Sequence, residues 1–146
     1  MEEKILSSIG QTRDDNTVTD EQLLALAREA MQRSYSPYSH YPVGAALLCN
    51  DGRVFQGCNI ENASFGLTNC AERTAVFKAV SEGATEFTAI AIASKVSAPW
   101  PCGACRQVLN EFAPQIRVLV TWDGGQGEML LTDLLPHGFG PKDLQS

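Results

Sequence analysis

The sequence predicts an α/β domain with three layers, in which a five-stranded mixed β-sheet lies between helices. Three observations lead to this fold class. After a first helix, segments with strand and helix patterns follow one another in the order β-β-α-β-α-β-β. Residues 87–94 form an apolar run rich in Ala and Ile, which is typical of a strand buried on both faces. The link between the last two strands is glycine-rich and too short for a parallel crossover, so we expect this pair to be antiparallel.

The N-terminal region is predicted to consist of an arm and one helix. Residues 1–17 are polar and of mixed charge, and we interpret them as a flexible arm that precedes a single catalytic domain at residues 18–146. Thr19 and Gln22 have the spacing of a capping box, which marks a helix start. Apolar residues then recur on one face, so a helix is expected over residues 20–34.

Strands and two further helices are expected along the rest of the chain. The expected strands are residues 43–49, 54–58, 87–94, 117–121 and 128–131. The expected helices are residues 70–83 and 103–112. Gly52 favours a hairpin turn between the first two strands, and Gly83 stands where a C-terminal cap belongs. Pro101 and Pro114 flank the last helix.

Composition restricts the class of partner. The chain has 146 residues, 44% of them hydrophobic, which suits one compact domain. Its net charge is -6 and its eleven Lys and Arg residues are scattered, which argues against a nucleic-acid partner and favours an uncharged small molecule. No apolar run is long enough to span a bilayer, and the N-terminus lacks the apolar core of a signal peptide. We therefore expect no membrane partner and a cytoplasmic location.

Three of the five cysteines suggest a metal site. An odd number of cysteines in a cytosolic chain argues against a disulfide framework. Cys102 and Cys105 are three residues apart at an expected helix start, where the sulfurs point the same way and thiolates are favoured. Cys70 also lies at a helix start, after Thr68 and Asn69, either of which could cap the helix. Three thiolates that leave a fourth position open are typical of a catalytic zinc site.

Other interpretations of these cysteines exist. A Cys-x-x-Cys pair is also found as a redox pair or by coincidence, and Cys58 or Cys49 could complete a structural four-cysteine site. Glu72 alone would be explained by favourable interaction with the helix dipole. Together with Cys70 and the motif at residues 101–105, however, it matches the zinc deaminase signature, in which a non-ligating Glu transfers protons.

With these residues identified, the sequence resembles the small homotetrameric cytidine deaminases. The resemblance covers about residues 35–144 and rests on several motifs that occur in the same order. These are residues 41–46, 57–63, 70–75, 81–83, 101–107, 134–136 and 139–141. It implies a cytidine deaminase-like fold and zinc-dependent hydrolysis of cytidine and 2′-deoxycytidine to uridine, 2′-deoxyuridine and ammonia, as in pyrimidine salvage. It also implies one Zn²⁺ per chain and a homotetramer whose sites are completed by neighbouring subunits.

The resemblance assigns the metal and proton-transfer residues. It implies that Cys70, Cys102 and Cys105 bind the zinc ion. Glu72 would act as general acid and base. Arg73 would hydrogen-bond the sulfurs and withdraw some of the excess negative charge of three thiolates. The alternative for Arg73 is an ordinary surface arginine.

The resemblance also assigns the substrate-binding residues. The main-chain N–H of Ala71 would hold the pyrimidine carbonyl, and Tyr41 would lie against the base. Asn59 and Glu61 would hydrogen-bond a sugar hydroxyl; without the family pattern, an ordinary polar turn would be the better explanation of this pair. Phe139 would cover the base in a neighbouring subunit, the alternative being plain core packing.

Four residues at three places in the chain depart from the family pattern. Tyr41 replaces a Phe, and its hydroxyl needs a partner if it is buried. Phe65-Gly66 replaces a Tyr-Pro pair in a subunit contact, and Trp100 replaces a small Ser. In the family the main-chain carbonyl at position 100 faces the substrate amino group, which Trp100 can still supply. The lip of the pocket is therefore where this chain is expected to differ from its family.

Three other functions are alternatives to a nucleoside deaminase. A deaminase of a nucleotide, a free base or an antibiotic nucleoside uses related chemistry, but Glu61 would repel a phosphate and a free base has no sugar to bind. A nucleic-acid editing enzyme is disfavoured by the net acidity of the chain. The third alternative, from a different class, is a structural zinc or interaction module.

Overall fold

Four α-helices and five β-strands make up most of residues 17–144, the part of the chain that the computed structural model describes. The predicted N-terminal arm lies outside the described residues, apart from Thr17. In chain order the elements are α1 (Asp20–Met31), β1 (Gly44–Cys49), β2 (Val54–Cys58), α2 (Ala71–Ser81), β3 (Phe87–Ala93), α3 (Gly103–Phe112), β4 (Arg117–Trp122), β5 (Gly125–Leu130) and α4 (Leu131–Leu134). Two short 3₁₀ helices lie at Phe65–Leu67 and Pro141–Asp143.

The strands form one mixed sheet in the order β2-β1-β3-β4-β5. Strands β3 and β4 are parallel, and the other neighbouring pairs are antiparallel. The prediction of a five-stranded mixed sheet is therefore confirmed. The β4–β5 hairpin turns more tightly than predicted, because Gly125 already pairs with Trp122 and Gly127 with Val120.

Helices cover both faces of the sheet, which confirms the three-layer prediction. Helix α1 packs on one face, where Ala46 and Leu48 of β1 join its apolar residues. Helices α2 and α3 pack on the other face, where Ala45 and Leu47 point. Every residue of β1 is buried, because the strand is covered from both sides. Within residues 17–144, no helix combines the length and the apolar character that crossing a membrane requires.

The ends of α1 show one correct and one incorrect prediction. The Thr19–Gln22 capping box is confirmed, since each residue's main-chain N–H donates to the other's side chain. The helix ends at Met31, however, three residues before the predicted end. The reason is a long-range contact: the Tyr35 N–H donates to the Asn59 carbonyl over 3.0 Å, which draws the chain away from the helix axis towards β2.

Two glycines let helices approach the sheet closely. A Cβ atom on Gly44 would lie 2.1 Å from the Ala27 carbonyl oxygen of α1. A Cβ atom on Gly57 would lie 2.5 Å from the Ala75 nitrogen and 2.6 Å from the Ala71 oxygen of α2. These contacts are with main-chain atoms, which cannot rotate away as a flexible side chain could. The position of α2, which begins at Ala71, therefore depends on the absence of a side chain at residue 57.

This contact predicts the effect of one added methyl group. Gly57→Ala is expected to destabilise the protein by about 1–3 kcal/mol, the usual cost of overpacking a core. Gly66→Ala is the matched control, because no atom lies within 4 Å of the position of its Cβ. It should change stability by less than about 0.5 kcal/mol. Urea unfolding of both variants measures the difference, and equal midpoints would contradict the close-packing interpretation.

Candidate metal centre and its pocket

Three cysteine sulfurs lie together where α2 and α3 begin. Cys70 is the N-cap residue of α2, Cys102 is the N-cap residue of α3, and Cys105 lies in the first turn of α3. The Sγ atoms of Cys70 and Cys102 are 3.9 Å apart, and those of Cys102 and Cys105 are 3.6 Å apart. All three lie within 4.8 Å of one another. The structure thus brings together the three cysteines that the sequence singled out.

No side chain caps the start of α2. The prediction that Thr68 or Asn69 would cap it is wrong, because Cys70 itself is the N-cap residue and makes no side-chain capping bond. The Asn69 amide donates instead to the Thr74 hydroxyl over 3.1 Å, and that hydroxyl donates to the Cys70 carbonyl over 3.1 Å. The unpaired amides of the first turn therefore remain available to the site.

Nearby donors favour the thiolate form of Cys70. The pKa of Cys70 is lowered to about 5, first by a hydrogen bond from the Cys105 thiol and also by the Arg73 guanidinium. Arg73 Nη2 lies 3.2 Å from the Cys70 sulfur. The pKa of Cys105 is raised, first because it donates that hydrogen bond. Three thiolates this close repel one another, so a divalent cation is needed to keep all three deprotonated.

The donor set fits zinc. Three thiolates are ligands that zinc prefers, and three protein ligands leave a fourth position for a reactant. Neither remaining cysteine belongs to the group. Cys49 is buried in the sheet core, and the Cys58 thiol points to the Arg33 carbonyl at 3.3 Å. A four-cysteine structural site, one of the alternatives from the sequence, therefore finds no fourth sulfur.

Glu72 is a buried carboxyl group next to the cysteines. It lies in the first turn of α2, only 5% of its surface is exposed, and it lines the same pocket as Cys70 and Cys102. Burial is the main cause that raises its pKa to about 7, since a charged carboxylate is disfavoured away from water. A group with this pKa exchanges protons readily near neutral pH.

The pocket in front of the cysteines has a volume of about 470 Å³, which suits a small ligand. It combines polar groups with an apolar wall. The lining residues are Ser39, Tyr41, Val43, Asn59, Glu61, Thr68, Cys70, Ala71, Glu72, Ala98, Pro99, Trp100 and Cys102. Another cavity, of about 520 Å³, lies beside the C-terminal segment and contains none of the clustered cysteines.

Asn59 and Glu61 both line the pocket, and both are already engaged by the protein. The Asn59 side-chain oxygen accepts from the Val43 N–H over 3.0 Å and from Ser34, while its amide donates to the Tyr41 carbonyl over 2.9 Å. One amide hydrogen of Asn59 remains for a ligand. Asn59 is therefore also a structural residue that joins two loops.

The Glu61 carboxylate is fixed by residues of the loop that faces it. It accepts from the main-chain N–H groups of Tyr38 and Ser39 over 2.9 and 3.1 Å, and from the Ser39 hydroxyl. The Ser39 hydroxyl is the main cause that lowers the pKa of Glu61. The carboxylate thus stays ionised and keeps one orientation, with acceptor capacity to spare.

The positions that depart from the family pattern lie at the pocket wall or outside it. The Tyr41 hydroxyl has a partner, Ser97 Oγ, at 2.9 Å. Trp100 lines the pocket while its ring rests on Gly127 of β5, where a Cβ would lie 3.1 Å from the ring. Phe65 is 74% exposed and belongs to the 3₁₀ helix before Cys70.

Phe139 does not line the pocket of its own chain. Its side chain is 57% exposed, so the core-packing alternative does not hold within one protomer. Its main-chain carbonyl is held by two side chains of α3, Gln107 Nε2 at 2.7 Å and Asn110 Nδ2 at 3.0 Å. The main chain at Phe139 is therefore anchored while the ring faces outwards.

Several residues around the site were not predicted from the sequence. Ser39 orients Glu61, and Ser97 pairs with Tyr41. Arg106 donates to the Pro101 carbonyl over 2.6 Å and to the Leu134 carbonyl over 2.7 Å, which ties the loop before Cys102 to α4. Single serines in loops give no pattern to detect. The Cys-Arg-Gln sequence at residues 105–107 was the one available signal for Arg106 and Gln107.

One protein family matches most of the chain. The model described as the cytidine and deoxycytidylate deaminase zinc-binding region matches residues 17–121. A cytidine deaminase of Halalkalibacterium halodurans is 50% identical over 125 residues, which cover 84% of this chain and 95% of the relative. A cytidine deaminase of Sporosarcina psychrophila is 47% identical over 127 residues, which cover 85% of this chain and 93% of the relative.

Solved structures give the same result. The crystal structure of cytidine deaminase from Burkholderia pseudomallei matches with a TM-score of 0.80 at 48% identity, covering 83% of this chain and 99% of that chain. The crystal structure of the Mycobacterium tuberculosis enzyme matches with a TM-score of 0.72 at 41% identity, covering 84% and 98%. The family resemblance and the cytidine deaminase-like fold predicted from the sequence are both confirmed. The chain belongs to the family of cytidine and deoxycytidylate deaminases that share a zinc-binding region.

Proposed function

We propose that this protein is a zinc-dependent cytidine deaminase, which hydrolyses cytidine and 2′-deoxycytidine to uridine, 2′-deoxyuridine and ammonia. Residues 18–146 would form its single catalytic domain. The observation that carries the proposal is the buried Glu72, with a pKa of about 7, in one pocket with two of the three clustered cysteines. A structural zinc module has no use for such a proton carrier. Membership of a deaminase family supports the same conclusion.

Cys70, Cys102 and Cys105 would hold one Zn²⁺ per chain. When bound, the ion supplies a hydroxide nucleophile near neutral pH. Arg73 balances the site, because its guanidinium beside the Cys70 sulfur reduces the charge that three thiolates place on the ion. The buried but unpaired Nε of Arg73 lies in the same region and leaves this side chain one further donor.

Glu72 would transfer the protons. It would take a proton from the attacking water and deliver it to ring N3, which makes C4 electrophilic, so that the remaining hydroxide forms a bond to C4. It would then take the proton of the new C4–OH group and deliver it to the amino group, and the C4–N bond breaks as ammonia leaves and the C4 carbonyl of uridine forms. One carboxyl group can serve both steps because its pKa of about 7 lets it accept and donate at the same pH.

Pocket residues would orient the nucleoside. The Ala71 N–H, in the first turn of α2, would donate to the pyrimidine carbonyl. The Tyr41 ring would lie against the base, and the Trp100 carbonyl would accept from the amino group. Asn59 would donate its remaining amide hydrogen to a sugar hydroxyl, and Glu61 would accept from that hydroxyl.

We also propose that the protein is a homotetramer whose sites are completed by neighbouring subunits. Phe139 can cover a base only in another copy, since it does not line the pocket of its own chain. Large apolar side chains are exposed on the protomer, as expected of surfaces that pack against a partner. They include Phe65 at 74%, Leu67 at 71% and Phe139 at 57%.

A cytoplasmic location is the remaining proposal. The metal site needs its three cysteines reduced, and the structure contains five free cysteines with no disulfide among residues 17–144. Reducing conditions of this kind are those of the cytoplasm.

Two substitutions and two control variants test the catalytic proposal. Cys102→Ala is expected to lose zinc and activity, because it removes one ligand. Glu72→Gln should retain zinc while kcat for cytidine falls about 10²- to 10⁴-fold, the usual contribution of general acid–base catalysis. Cys58→Ala and Glu21→Gln are the controls and should keep both zinc and activity, since Cys58 and Glu21 lie outside the site. Metal analysis measures the zinc content, and the loss of cytidine absorbance measures the activity. Near-normal turnover by Glu72→Gln would refute the role of Glu72 in proton transfer.

The polar groups around Glu61 predict selectivity for nucleosides. Free cytosine should react roughly 10⁴-fold more slowly than cytidine. It has no sugar hydroxyl, so Asn59 and Glu61 would be left without the partner that they bind in cytidine. Cytidine monophosphate should also be poor, since its phosphate would approach an ionised Glu61. Glu61→Gln should lower kcat/KM for cytidine and narrow the gap to cytosine. The three substrates are compared on one preparation, and equal kcat/KM for cytosine or the monophosphate would rule out the nucleoside assignment.

The exposed ring of Phe139 predicts how assembly and activity are linked. Light scattering should give the mass of four chains. Phe139→Ala should raise KM for cytidine with the tetramer intact, or weaken the tetramer, because the ring would be lost from a neighbouring site. Leu144→Ala is a control, since Leu144 is also exposed, at 77%, near the same end of the chain. A fully active monomer would contradict the proposal.

A further inference from the structure

Two loops line the substrate pocket, and one side-chain hydrogen bond joins them. The loop before β1 contributes Ser39 and Tyr41, and the loop after β3 contributes residues 98–100. The Tyr41 hydroxyl lies 2.9 Å from Ser97 Oγ and 3.5 Å from the Ser97 carbonyl oxygen. These residues are 56 positions apart in the sequence, so the bond fixes a distance that local structure does not set.

The main chain of Tyr41 is anchored to the residues proposed to bind the sugar. Its N–H donates to the Ser39 hydroxyl over 3.1 Å, and this hydroxyl also bonds the Glu61 carboxylate. Its carbonyl accepts from the Asn59 amide over 2.9 Å. The ring of Tyr41 therefore extends from a main chain that is already held at both ends.

Ser97 is anchored in the same way to the sheet. Its carbonyl accepts from the Ser94 hydroxyl over 2.5 Å. Ser94 is only 4% exposed, and its N–H donates to the Thr121 carbonyl over 3.1 Å at the end of β4. Ser97 itself is exposed, so a change in its side chain removes the hydroxyl without opening a gap in the core.

We propose that Tyr41 and Ser97 form a bridge across the substrate pocket, and that Ser97 is a positioning residue for the nucleoside. The inference rests on the proposed deaminase function of the same pocket. The bridge joins two segments of the main chain that are each held in place by other hydrogen bonds. It therefore sets the spacing between the Tyr41 ring and the part of the pocket wall that carries the Trp100 carbonyl. A pocket held at its working width binds more tightly, because the loops need no ordering when the substrate enters.

The bridge acts on binding and not on the chemical step. It is formed before the substrate enters and touches no reacting atom, so the ground state and the transition state gain equally from it. Losing such a contact raises KM and leaves kcat unchanged. The expected size is about 2- to 10-fold, the factor that corresponds to the net contribution of one neutral hydrogen bond.

A double-mutant cycle tests the bridge. Tyr41→Phe removes the hydroxyl and keeps the aromatic ring, and Ser97→Ala removes its partner. Each variant should raise KM for cytidine about 2- to 10-fold at constant kcat, and the double variant should be no worse than the worse single variant. Tyr35→Phe is the matched control, because its ring is 55% exposed and lies outside the pocket lining. Unchanged KM in the single variants, multiplied effects in the double variant, or a loss in kcat would each overturn the bridge.

A second measurement does not depend on activity. In a Trp122→Phe background, Trp100 is the remaining tryptophan and reports on the wall of the pocket. Tyr41→Phe and Ser97→Ala should each increase quenching of its fluorescence by acrylamide, while Tyr35→Phe should not. If the unmodified enzyme fails to deaminate cytidine, the proposed function fails and quenching alone decides on the bridge. If quenching is unchanged in both Tyr41→Phe and Ser97→Ala, the proposed bridge is refuted.

Discussion

The convergence of two helix starts on three sulfurs is the constraint on which the rest of the structure depends. Cys70 and Cys102 are N-cap residues, so the metal site can form only if α2 and α3 begin at the same place. The sheet fixes both helices on one of its faces, and Gly57 allows α2 to approach it closely. The same geometry places the buried Glu72, in the first turn of α2, in one pocket with Cys70 and Cys102. The proposed proton transfer and metal binding thus both depend on the convergence of the starts of α2 and α3.

Local patterns predicted most of the fold, and long-range contacts account for the errors. The strands were predicted well, because a buried apolar run bounded by turn residues needs no partner to be recognised. The end of α1 was predicted three residues too late, because the bond from Tyr35 to Asn59 joins distant segments. The start of β5 was missed for a similar reason: Gly125 and Gly127 gain strand conformation from β4 and not from their own propensity.

The candidate site divides in the same way. The cysteines and Glu72 were identifiable because metal binding and proton transfer demand particular residue types at particular spacings. The residues that hold the pocket in shape were not, since Ser39 and Ser97 act through contacts that no spacing encodes. Even Asn59 was only half understood from the sequence. The family resemblance implied a ligand contact, whereas most of the hydrogen bonds of Asn59 join two segments of the protein.

Helix α3 has ten residues and contributes both to the metal site and to the anchoring of the C-terminal segment. This double function limits which insertions and deletions the helix can accept. Its first turn holds Cys105 next to Cys102, and its later turns hold the Phe139 carbonyl through Gln107 and Asn110. Each residue of a helix is rotated by about 100° from the one before it. An insertion or deletion between Cys105 and Gln107 would leave the sulfurs in place and swing both amides away from the C-terminal segment. Substitutions can accumulate on the exposed face of α3, but the spacing from Cys105 to Gln107 and Asn110 cannot change without loss of one of these contacts.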